Sequence, residues 1–262
     1  MDSESIVLPL DDLPVRSPVM VGDFLNSFII IQISDFYNFD AIIYFMDIKQ
    51  IIAHLKKNSN PRDRGGMSRF GIDVKYALGV KIPVLRSLAK KLGKNHKLAL
   101  DLWKTKIHEA RILASMIDEP EKVTEKQMEE WVKCFNSWDI CDQVCSNLFD
   151  KTAFAWEKIY EWPKRKEEFV RRAGFSLMAY LACHDKKTVD KEFIKFFPII
   201  KKHSDDERNF VKKAVNWALR QTGKKNNNLK KHAIKTAEEI AKINNKTAQW
   251  IAMDALRELK SR

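Results

Sequence analysis

A tryptophan and a carboxylate four residues apart, Trp138 and Asp142, are the residues of this chain whose spacing most favours chemistry. The sequence around them has helical periodicity, and residues four apart lie on one face of a helix. Most of the surrounding chain is strongly basic, so a carboxylate beside a flat ring needs a chemical reason. Stabilisation of a transient cation on a bound polyanion would be one.

The charge of the chain is unevenly distributed. Its 262 residues have a formal net charge of +12. Residues 1–47 hold one basic and eight acidic residues, a net of −7, whereas residues 48–262 have a net of +19. Positive charge spread over helical faces predicts a polyanionic partner, most commonly nucleic acid, although an acidic protein surface would also fit.

The first 45 residues differ in composition from the rest. They contain no lysine and are rich in β-branched runs, and an amphipathic, lysine-rich pattern begins at Met46. We predict an atypical acidic extension at residues 1–45, which is either a poorly ordered appendage or an artefact of gene prediction. Residues 46–262 would form one helical domain.

Several classes of protein and site are not expected. The apolar run at residues 28–33 is too short for a membrane span, and the start of the chain lacks the basic region of a signal peptide. The four cysteines form no Cys-x-x-Cys pair and lie beside apolar helical patterns, which favours buried thiols in a reducing compartment over a zinc site. We therefore predict no membrane association, no metal, no cofactor and no secretion.

The body of the chain has the pattern of a helical repeat. Residues 169–175 match residues 210–216 when the sequence is slid by 41 positions, with an aromatic residue, a valine, two cations and an alanine in corresponding places. Units of about 40–47 residues with paired helices are typical of HEAT-like repeats, which stack into a solenoid with a concave binding face. The predicted fold is all-α, with a basic concave groove.

Each of these helices has a stripe of apolar residues that packs against its neighbours, and cations and a tryptophan lie outside these stripes. Lys213, Trp217 and Arg220 lie together on one side of the helix at residues 210–220, and Arg172 has a similar place one repeat earlier. A tryptophan partly buried under lysine and arginine stems, and a solvated arginine, are the simpler alternatives. The recurrence favours a surface that grips phosphates beside an aromatic platform.

Cleavage of an N-glycosidic bond would give Asp142 a task. The sugar passes through an oxocarbenium-like state, and a carboxylate about 4 Å from that charge contributes roughly 4 kcal/mol at an effective dielectric near 20. A second carboxylic acid usually protonates the leaving group, but Asp139 fits helix capping or an arginine partner at least as well. A base that is already cationic, such as an N3- or N7-alkylated purine, needs no such acid.

These motifs match a known family. From about Met46 to its C-terminus the chain resembles the AlkD-type DNA alkylation-repair glycosylases. The resemblance implies a right-handed superhelix of HEAT-like repeats that removes 3-methyladenine and 7-methylguanine without drawing the base into a tight pocket. The motifs that carry it are Ser-Trp-Asp-Ile-Cys-Asp at 137–142, matching the family's Ser-Trp-Asp-x-x-Asp, Arg-Arg-Ala at 171–173, and the segments 210–220 and 78–83.

The resemblance assigns roles to individual residues. The catalytic carboxylate falls on Asp142, the ring against the sugar on Trp138, the second cleft tryptophan on Trp217 and the cleft arginine on Arg172. Phe70 stands where the family often has a tyrosine, so it can stack but offers no hydroxyl. The predicted DNA-binding residues are Arg69, Phe70, Arg171, Lys212, Lys213 and Arg220.

The implied partner is double-stranded DNA that contains alkylated bases, bound by a monomer. Such a protein would be cytoplasmic or nucleoid-associated in a prokaryote and nuclear in a eukaryote. Two alternatives remain open: a DNA-binding relative that has lost base excision, and a HEAT-type scaffold for an acidic protein. The joint presence of the four catalytic candidates argues against the first, and their recurrence at one position of the repeat argues against the second.

Overall fold

The computed structural model describes residues 46–261. Within this range the chain consists of α-helices, short 3₁₀ segments and turns, without a β-strand. The all-α prediction is confirmed. None of the described helices is long and apolar enough to cross a bilayer. The extension predicted for residues 1–45 lies outside the described residues.

Fourteen α-helices follow one another between residues 46 and 261. They are α1 (Ile48–Lys57), α2 (Pro61–Met67), α3 (Ile82–Leu92), α4 (His96–Lys104), α5 (His108–Ile117), α6 (Glu125–Val132), α7 (Trp138–Asn147), α8 (Ala155–Glu161), α9 (Glu168–His184), α10 (Asp190–Ile194), α11 (Phe196–Lys202), α12 (Asn209–Lys224), α13 (Asn227–Ala241) and α14 (Lys246–Lys260). The 3₁₀ segments are Ser68–Phe70, Pro120–Lys122, Phe149–Lys151 and Trp162–Lys164.

Helix α1 begins where the composition of the chain changes. The carboxylate of Asp47 accepts a hydrogen bond from the Gln50 N–H at 2.8 Å, and the side chain of Gln50 accepts one from the Asp47 N–H at 2.9 Å. This reciprocal arrangement is a capping box, which satisfies two of the amide groups left without partners at a helix start. The amphipathic helix predicted just after Met46 is therefore present.

The helices pack in pairs, and the second helices of the pairs form a continuous row. We call α5, α7, α9, α12 and α14 the inner row, because each packs directly on the next. Helices α4, α8 and α13 each pack against a member of this row from the other side. The arrangement buries one face of each helix except α2 in a core that is shared between neighbouring units.

The spacing of the units varies along the row. Helices α9 and α12 begin 41 residues apart, at Glu168 and Asn209, as the sequence match predicts. Helices α5, α7 and α9 begin at residues 108, 138 and 168, so the earlier units are only 30 residues long. These units are shorter than the 40–47 residues typical of HEAT-like repeats, because α5 and α7 have 10 residues each whereas α9 has 17. In addition, a single short helix, α6 or α8, stands where the longer unit has both α10 and α11.

The four cysteines differ in how deeply they are buried. Cys141 and Cys145 on α7 are buried, as predicted, and burial raises the pKa of Cys145 well above its ordinary value. Cys183 is half-buried. Cys134 is exposed, which corrects the prediction for that residue, because α6 has ended before it and its side chain leaves the core.

A buried carboxylate on the inner row fixes the turn that precedes α3. Glu109 accepts hydrogen bonds from the N–H groups of Leu78 at 2.9 Å, Gly79 at 2.6 Å and Val80 at 3.2 Å. Gly79 has a φ of +78°, and a Cβ atom there would lie 2.3 Å from the carbonyl oxygen of Asn60. The hydrogen bonds to Glu109 and the tight packing at Gly79 hold this turn in one conformation. The turn anchors the segment after residue 70.

Substitution of Glu109 by alanine should lower the free energy of unfolding by about 3 kcal/mol, because three amide groups in a buried site would lose their acceptor. Urea denaturation of the purified protein measures this change. The matched control is Glu130→Ala on α6, whose side chain is 62% exposed and whose loss should change stability by less than about 0.5 kcal/mol. Equal effects of the two substitutions would show that the turn does not depend on Glu109.

Candidate active site

One cleft opens on the inner row between α7, α9, α12 and the segment after α2. Its volume is about 540 Å³. All four predicted catalytic residues lie in it, together with three of the predicted DNA-binding residues. The lining residues are Arg69, Phe70, Gly71, Trp138, Asp142, Arg172, Tyr180, Asn209, Phe210, Lys213 and Trp217.

Asp142 is held by a fork of hydrogen bonds from α9. Its Oδ1 accepts from Arg172 Nε at 3.1 Å and from Ser176 Oγ at 2.8 Å, and its Oδ2 accepts from Arg172 Nη2 at 2.7 Å. Such a bidentate pair fixes the plane of the carboxylate as well as its position. The side chain of Asp142 is still 15% exposed, so the carboxylate faces the cleft.

Arg172 has a different role from the one expected for it. Its third donor, Nη1, reaches the carbonyl oxygen of Phe210 on α12 at 2.6 Å, and its side chain is only 7% exposed. Burial disfavours the charged guanidinium, but the Asp142 carboxylate outweighs this effect and raises the pKa of Arg172. The expectation that Arg172 grips a phosphate is therefore corrected: it orients Asp142 and ties α9 to α12.

Trp138 links α7 to the segment after α2, which forms part of the cleft wall. Its indole Nε1 donates to the carbonyl oxygen of Phe70 at 2.9 Å. The Phe70 side chain itself is 69% exposed. Gly71 follows with a φ of +72°, and a Cβ atom there would lie 2.5 Å from the ring of Phe210. The glycine therefore allows the segment to approach α12 and close this side of the cleft.

Trp217 forms the opposite aromatic wall. Its ring meets that of Tyr180 edge to face, with centroids 4.9 Å apart and planes at 89°. In the amide orientation that satisfies both groups, the carbonyl oxygen of Gln221 accepts from Trp217 Nε1 at 3.0 Å. Burial, reinforced by the charge of Asp142, raises the pKa of Tyr180, so its hydroxyl stays protonated at neutral pH.

Several lining residues were not anticipated from the sequence. Gly71, Tyr180, Asn209 and Phe210 line the cleft but were not among the predicted site residues, and neither was Ser176, which lies behind the lining and donates to Asp142. Ser176 and Tyr180 could have been found from their spacing. They follow Arg172 at intervals of four residues, which places all three on one face of α9.

Three predicted DNA-binding residues lie outside the cleft. Arg171 Nη1 donates to Asp206 at 2.7 Å, and Arg220 pairs with Glu258 on α14. Lys212 extends toward α14 and does not line the cleft. The prediction that Arg171 and Arg220 project toward bound DNA is corrected, because acidic residues on neighbouring segments already engage both guanidinium groups.

Asp139 has a structural partner. His108 Nε2 on α5 lies 2.7 Å from Asp139 Oδ2, and Ser137 Oγ donates to Asp139 Oδ1 at 2.7 Å. Burial opposes ionisation of Asp139, but the hydrogen bond and charge of His108, together with the hydrogen bonds from Ser137 and the Ile140 N–H, lower its pKa. The arginine partner suggested for Asp139 is thus a histidine, and the residue serves to fix the start of α7.

The ion pairs of Asp206 give a testable acid dependence. Burial opposes ionisation, but hydrogen bonds from Arg208 and Arg171 lower the pKa of Asp206 from 3.8 to about 2. A depressed pKa stabilises the fold above the unfolded pKa and loses that contribution as the pH falls toward the folded one. The free energy of unfolding should therefore decrease between about pH 4 and pH 2. Urea titrations should show a shallower decrease in Asp206→Asn than in the wild type, and parallel curves would contradict the assignment.

A family model described as DNA alkylation repair enzyme matches residues 51–259, which include most of α1 and the inner row except the last residue of α14. The chain belongs to this family. The resemblance carried by the motifs at 137–142, 171–173 and 210–220 is therefore confirmed. No curated protein matches the chain significantly.

Two solved structures resemble this member of the DNA alkylation repair enzyme family. One represents a new family of proteins related to the HEAT-like repeat DNA glycosylases, with affinity for branched DNA structures. It is 20% identical, covers 81% of this chain and 95% of its own, and has a TM-score of 0.69, which shows a shared HEAT-like fold. The other is a designed armadillo repeat protein, 13% identical over 84% of this chain and 98% of its own. Its TM-score of 0.39 is too low to establish a common fold.

Proposed function

We propose that the protein is a DNA N-glycosylase that hydrolyses the N-glycosidic bond of cationic alkylated purines, such as 3-methyladenine and 7-methylguanine, in duplex DNA. One observation carries this proposal. The carboxylate of Asp142, fixed by Arg172 and Ser176, is open to a cleft between two tryptophan rings. We also propose that it acts as a monomer in whichever compartment holds the cell's DNA.

The reaction follows from the charges in the cleft. When the bond between C1′ and the purine nitrogen breaks, its electron pair goes to the base, so a cationic base leaves as a neutral molecule. The sugar becomes the cation, and water then bonds to C1′ and releases a proton. Asp142 stabilises the sugar cation. No acid is needed to protonate the leaving group, which agrees with the structural role of Asp139.

The ion pair with Arg172 reduces what Asp142 contributes. A carboxylate about 4 Å from the sugar cation gains roughly 4 kcal/mol at an effective dielectric near 20, and a guanidinium about 8 Å away opposes it by roughly 2 kcal/mol. The net effect is about 2 kcal/mol, or roughly 30-fold in rate. In return the carboxylate is already oriented before the reaction begins, so little reorganisation is needed.

Two further features of the cleft would contribute to breaking the N-glycosidic bond. Among the described residues, Oδ2 of Asp142 accepts a hydrogen bond from Arg172 alone, which leaves it an acceptor position for the attacking water. The faces of Trp138 and Trp217 would add about 0.5–2 kcal/mol each through cation–π attraction if they lie against the sugar. Both rings are half-buried, so part of each is covered by protein.

The rim of the cleft suits a nucleic-acid backbone. Arg69 and Lys213 are exposed and stand on different elements, the segment after α2 and helix α12. Cations on both sides of an aromatic cleft would hold the phosphates that flank a lesion. Phe70, which follows Arg69 in the lining and is 69% exposed, is positioned to stack on or wedge beside a base.

A second candidate function is DNA binding without base excision. The bidentate pair with Arg172 favours it, because a carboxylate neutralised in this way attracts the sugar cation less strongly. The structural neighbour with affinity for branched DNA has the same fold. The HEAT-type scaffold for an acidic protein is the third candidate, and the exposed cations alone would suit it.

The dependence of base release on the charge of the damaged base tests the proposal. Purified protein is incubated with duplexes that contain one 7-methylguanine, one 3-methyladenine, or the uncharged lesion hypoxanthine, and released bases are measured by mass spectrometry. Release of the two cationic bases but not of hypoxanthine is expected. Salt-dependent binding to all three duplexes without release would instead identify a DNA-binding protein, and absence of binding at physiological salt would identify a protein scaffold.

A further inference from the structure

The last described helix carries an exposed face that the cleft does not use. Lys246, Trp250, Met253 and Arg257 of α14 are spaced by four, three and four residues, so they lie along one side of the helix. Trp250 is 42% exposed and Met253 is 71% exposed. We call these four residues, with Lys212 of α12, the Trp250 face.

An exposed tryptophan is unusual in this molecule. All seven tryptophans fall within the described residues, and Trp250 is the most exposed of them, at 42%. Trp103, Trp131 and Trp162 are buried, and the remaining three are half-buried. A ring of this size is normally kept for the core or for an interface, because of the area it can bury.

The Trp250 face lies on the helix that packs beside α12, one of the helices that line the cleft. Helix α14 packs beside α12, and Asn216 Nδ2 donates to Asp254 at 2.7 Å across the two helices. Lys212 Nζ lies 5.5 Å from the centroid of the Trp250 ring. Because Lys212 belongs to α12, which also carries the cleft residues Lys213 and Trp217, the ring stands one helix beyond the cleft along the inner row.

The local charge is cationic at the ring. Asp254 pairs with Arg257, and Glu258 pairs with Arg220 and Lys224, so the carboxylates of α14 on this side are engaged within the protein. Lys212 and Lys246 flank the ring from the neighbouring helix and from the preceding turn of α14. An aromatic surface bordered by lysines suits a base whose phosphates lie beside it.

We infer that the Trp250 face binds an unpaired base of a DNA strand that leaves the duplex next to the cleft. A paired base is already stacked on its neighbours, whereas an unpaired base gains the full stacking contact with an exposed ring. Single-stranded flanks and forked DNA are therefore the expected ligands of this face. The inference rests on the DNA partner of the proposed function but not on base excision.

The test compares two DNA molecules of equal sequence, a blunt duplex and a duplex with one unpaired arm. Fluorescence anisotropy gives the affinity of the wild type, Trp250→Ala and Trp250→Phe for each. Stacking contributes about 1–2 kcal/mol per base, so Trp250→Ala should weaken binding to the forked DNA by about 5–30-fold and to the duplex by less than 2-fold. Trp250→Phe should restore most of the loss, because it keeps a ring.

A second readout locates the contact. The fluorescent base 2-aminopurine, placed in the unpaired arm, should be quenched by the wild type and remain bright with Trp250→Ala. The control is Val189→Ala, which removes another exposed apolar side chain, 66% exposed, from a different part of the surface and should leave both affinities unchanged.

Three results would overturn the inference. They are an unchanged affinity of Trp250→Ala for forked DNA, an equal loss on duplex and forked DNA, and wild-type self-association in sedimentation that Trp250→Ala abolishes. The outcome of this test is independent of whether the protein is a glycosylase. If the wild type releases no alkylated base but loses forked-DNA binding on Trp250→Ala, the glycosylase proposal fails and the Trp250 face stands.

Discussion

Replacement of Asp142 by asparagine is expected to slow the release of 7-methylguanine by about 10²–10³-fold while DNA binding is retained. The carboxylate itself contributes roughly 4 kcal/mol of charge stabilisation, or about 10³-fold, and the opposing charge of Arg172 stays in the variant. Asparagine keeps one oxygen that can accept a hydrogen bond from the attacking water, which sets the lower end of the range at about 10²-fold. Affinity for undamaged duplex should stay the same or rise slightly, because a negative charge leaves a site that faces phosphates.

Single-turnover release of the base measures this effect directly. Asp142→Asn also leaves the buried guanidinium of Arg172 without its carboxylate, so the assay is run at a temperature at which circular dichroism shows the variant to be folded. Asp101→Asn on α4 is the matched control, since its carboxylate is 41% exposed and remote from the cleft lining. Release by Asp142→Asn within about 3-fold of the wild type would remove Asp142 from the mechanism.

The second large effect is expected from Arg172→Ala, which should lower the free energy of unfolding by about 3–5 kcal/mol. Removal of one partner of a buried pair leaves the other charge without compensation. This substitution also removes the hydrogen bond from Arg172 to the Phe210 carbonyl oxygen, which joins α9 to α12. Base release should fall as well, because Asp142 would lose its fixed orientation.

Urea denaturation tests this prediction, with the exposed Arg86→Ala on α3 as the control. A double-mutant cycle with Asp142→Ala separates the pair from the other contacts of Arg172, and a coupling energy of about 1–3 kcal/mol is expected. A loss below about 1 kcal/mol in Arg172→Ala, or no coupling to Asp142, would show that the pair contributes little to the fold.

Much of the fold could be predicted because helical repeats leave a periodic record in the sequence. The match between residues 169–175 and 210–216 corresponds to α9 and α12, which are adjacent on the inner row. The placement of Trp138, Asp142, Arg172 and Trp217 in one cleft was implied by the resemblance of their motifs to the family, not by the periodicity, because Trp138 and Asp142 lie outside the matching segments.

The partners of the charged residues could not be read from the spacing within single helices. Asp142 and Arg172 are 30 residues apart, and Arg220 and Glu258 are 38 apart, so each pair joins successive units. A helical wheel shows which cations leave the apolar stripe, but it does not show which acids face them from the next helix. The missed pairs therefore share one signal, opposite charges separated by one repeat length.

The central claim is that Asp142, held by Arg172, stabilises a positive charge on the sugar. It can be tested without catalysis, by comparing binding of duplexes that carry either a cationic pyrrolidine analogue of the sugar or the neutral tetrahydrofuran analogue. Because the cleft should favour the charge of the transition state, the wild type is predicted to bind the cationic duplex about 10–30-fold more tightly, consistent with a net stabilisation of roughly 2 kcal/mol. In Asp142→Asn this preference should disappear or reverse, because the charge of Arg172 then acts without the opposing carboxylate. Equal affinity of the wild type for both duplexes would contradict the account.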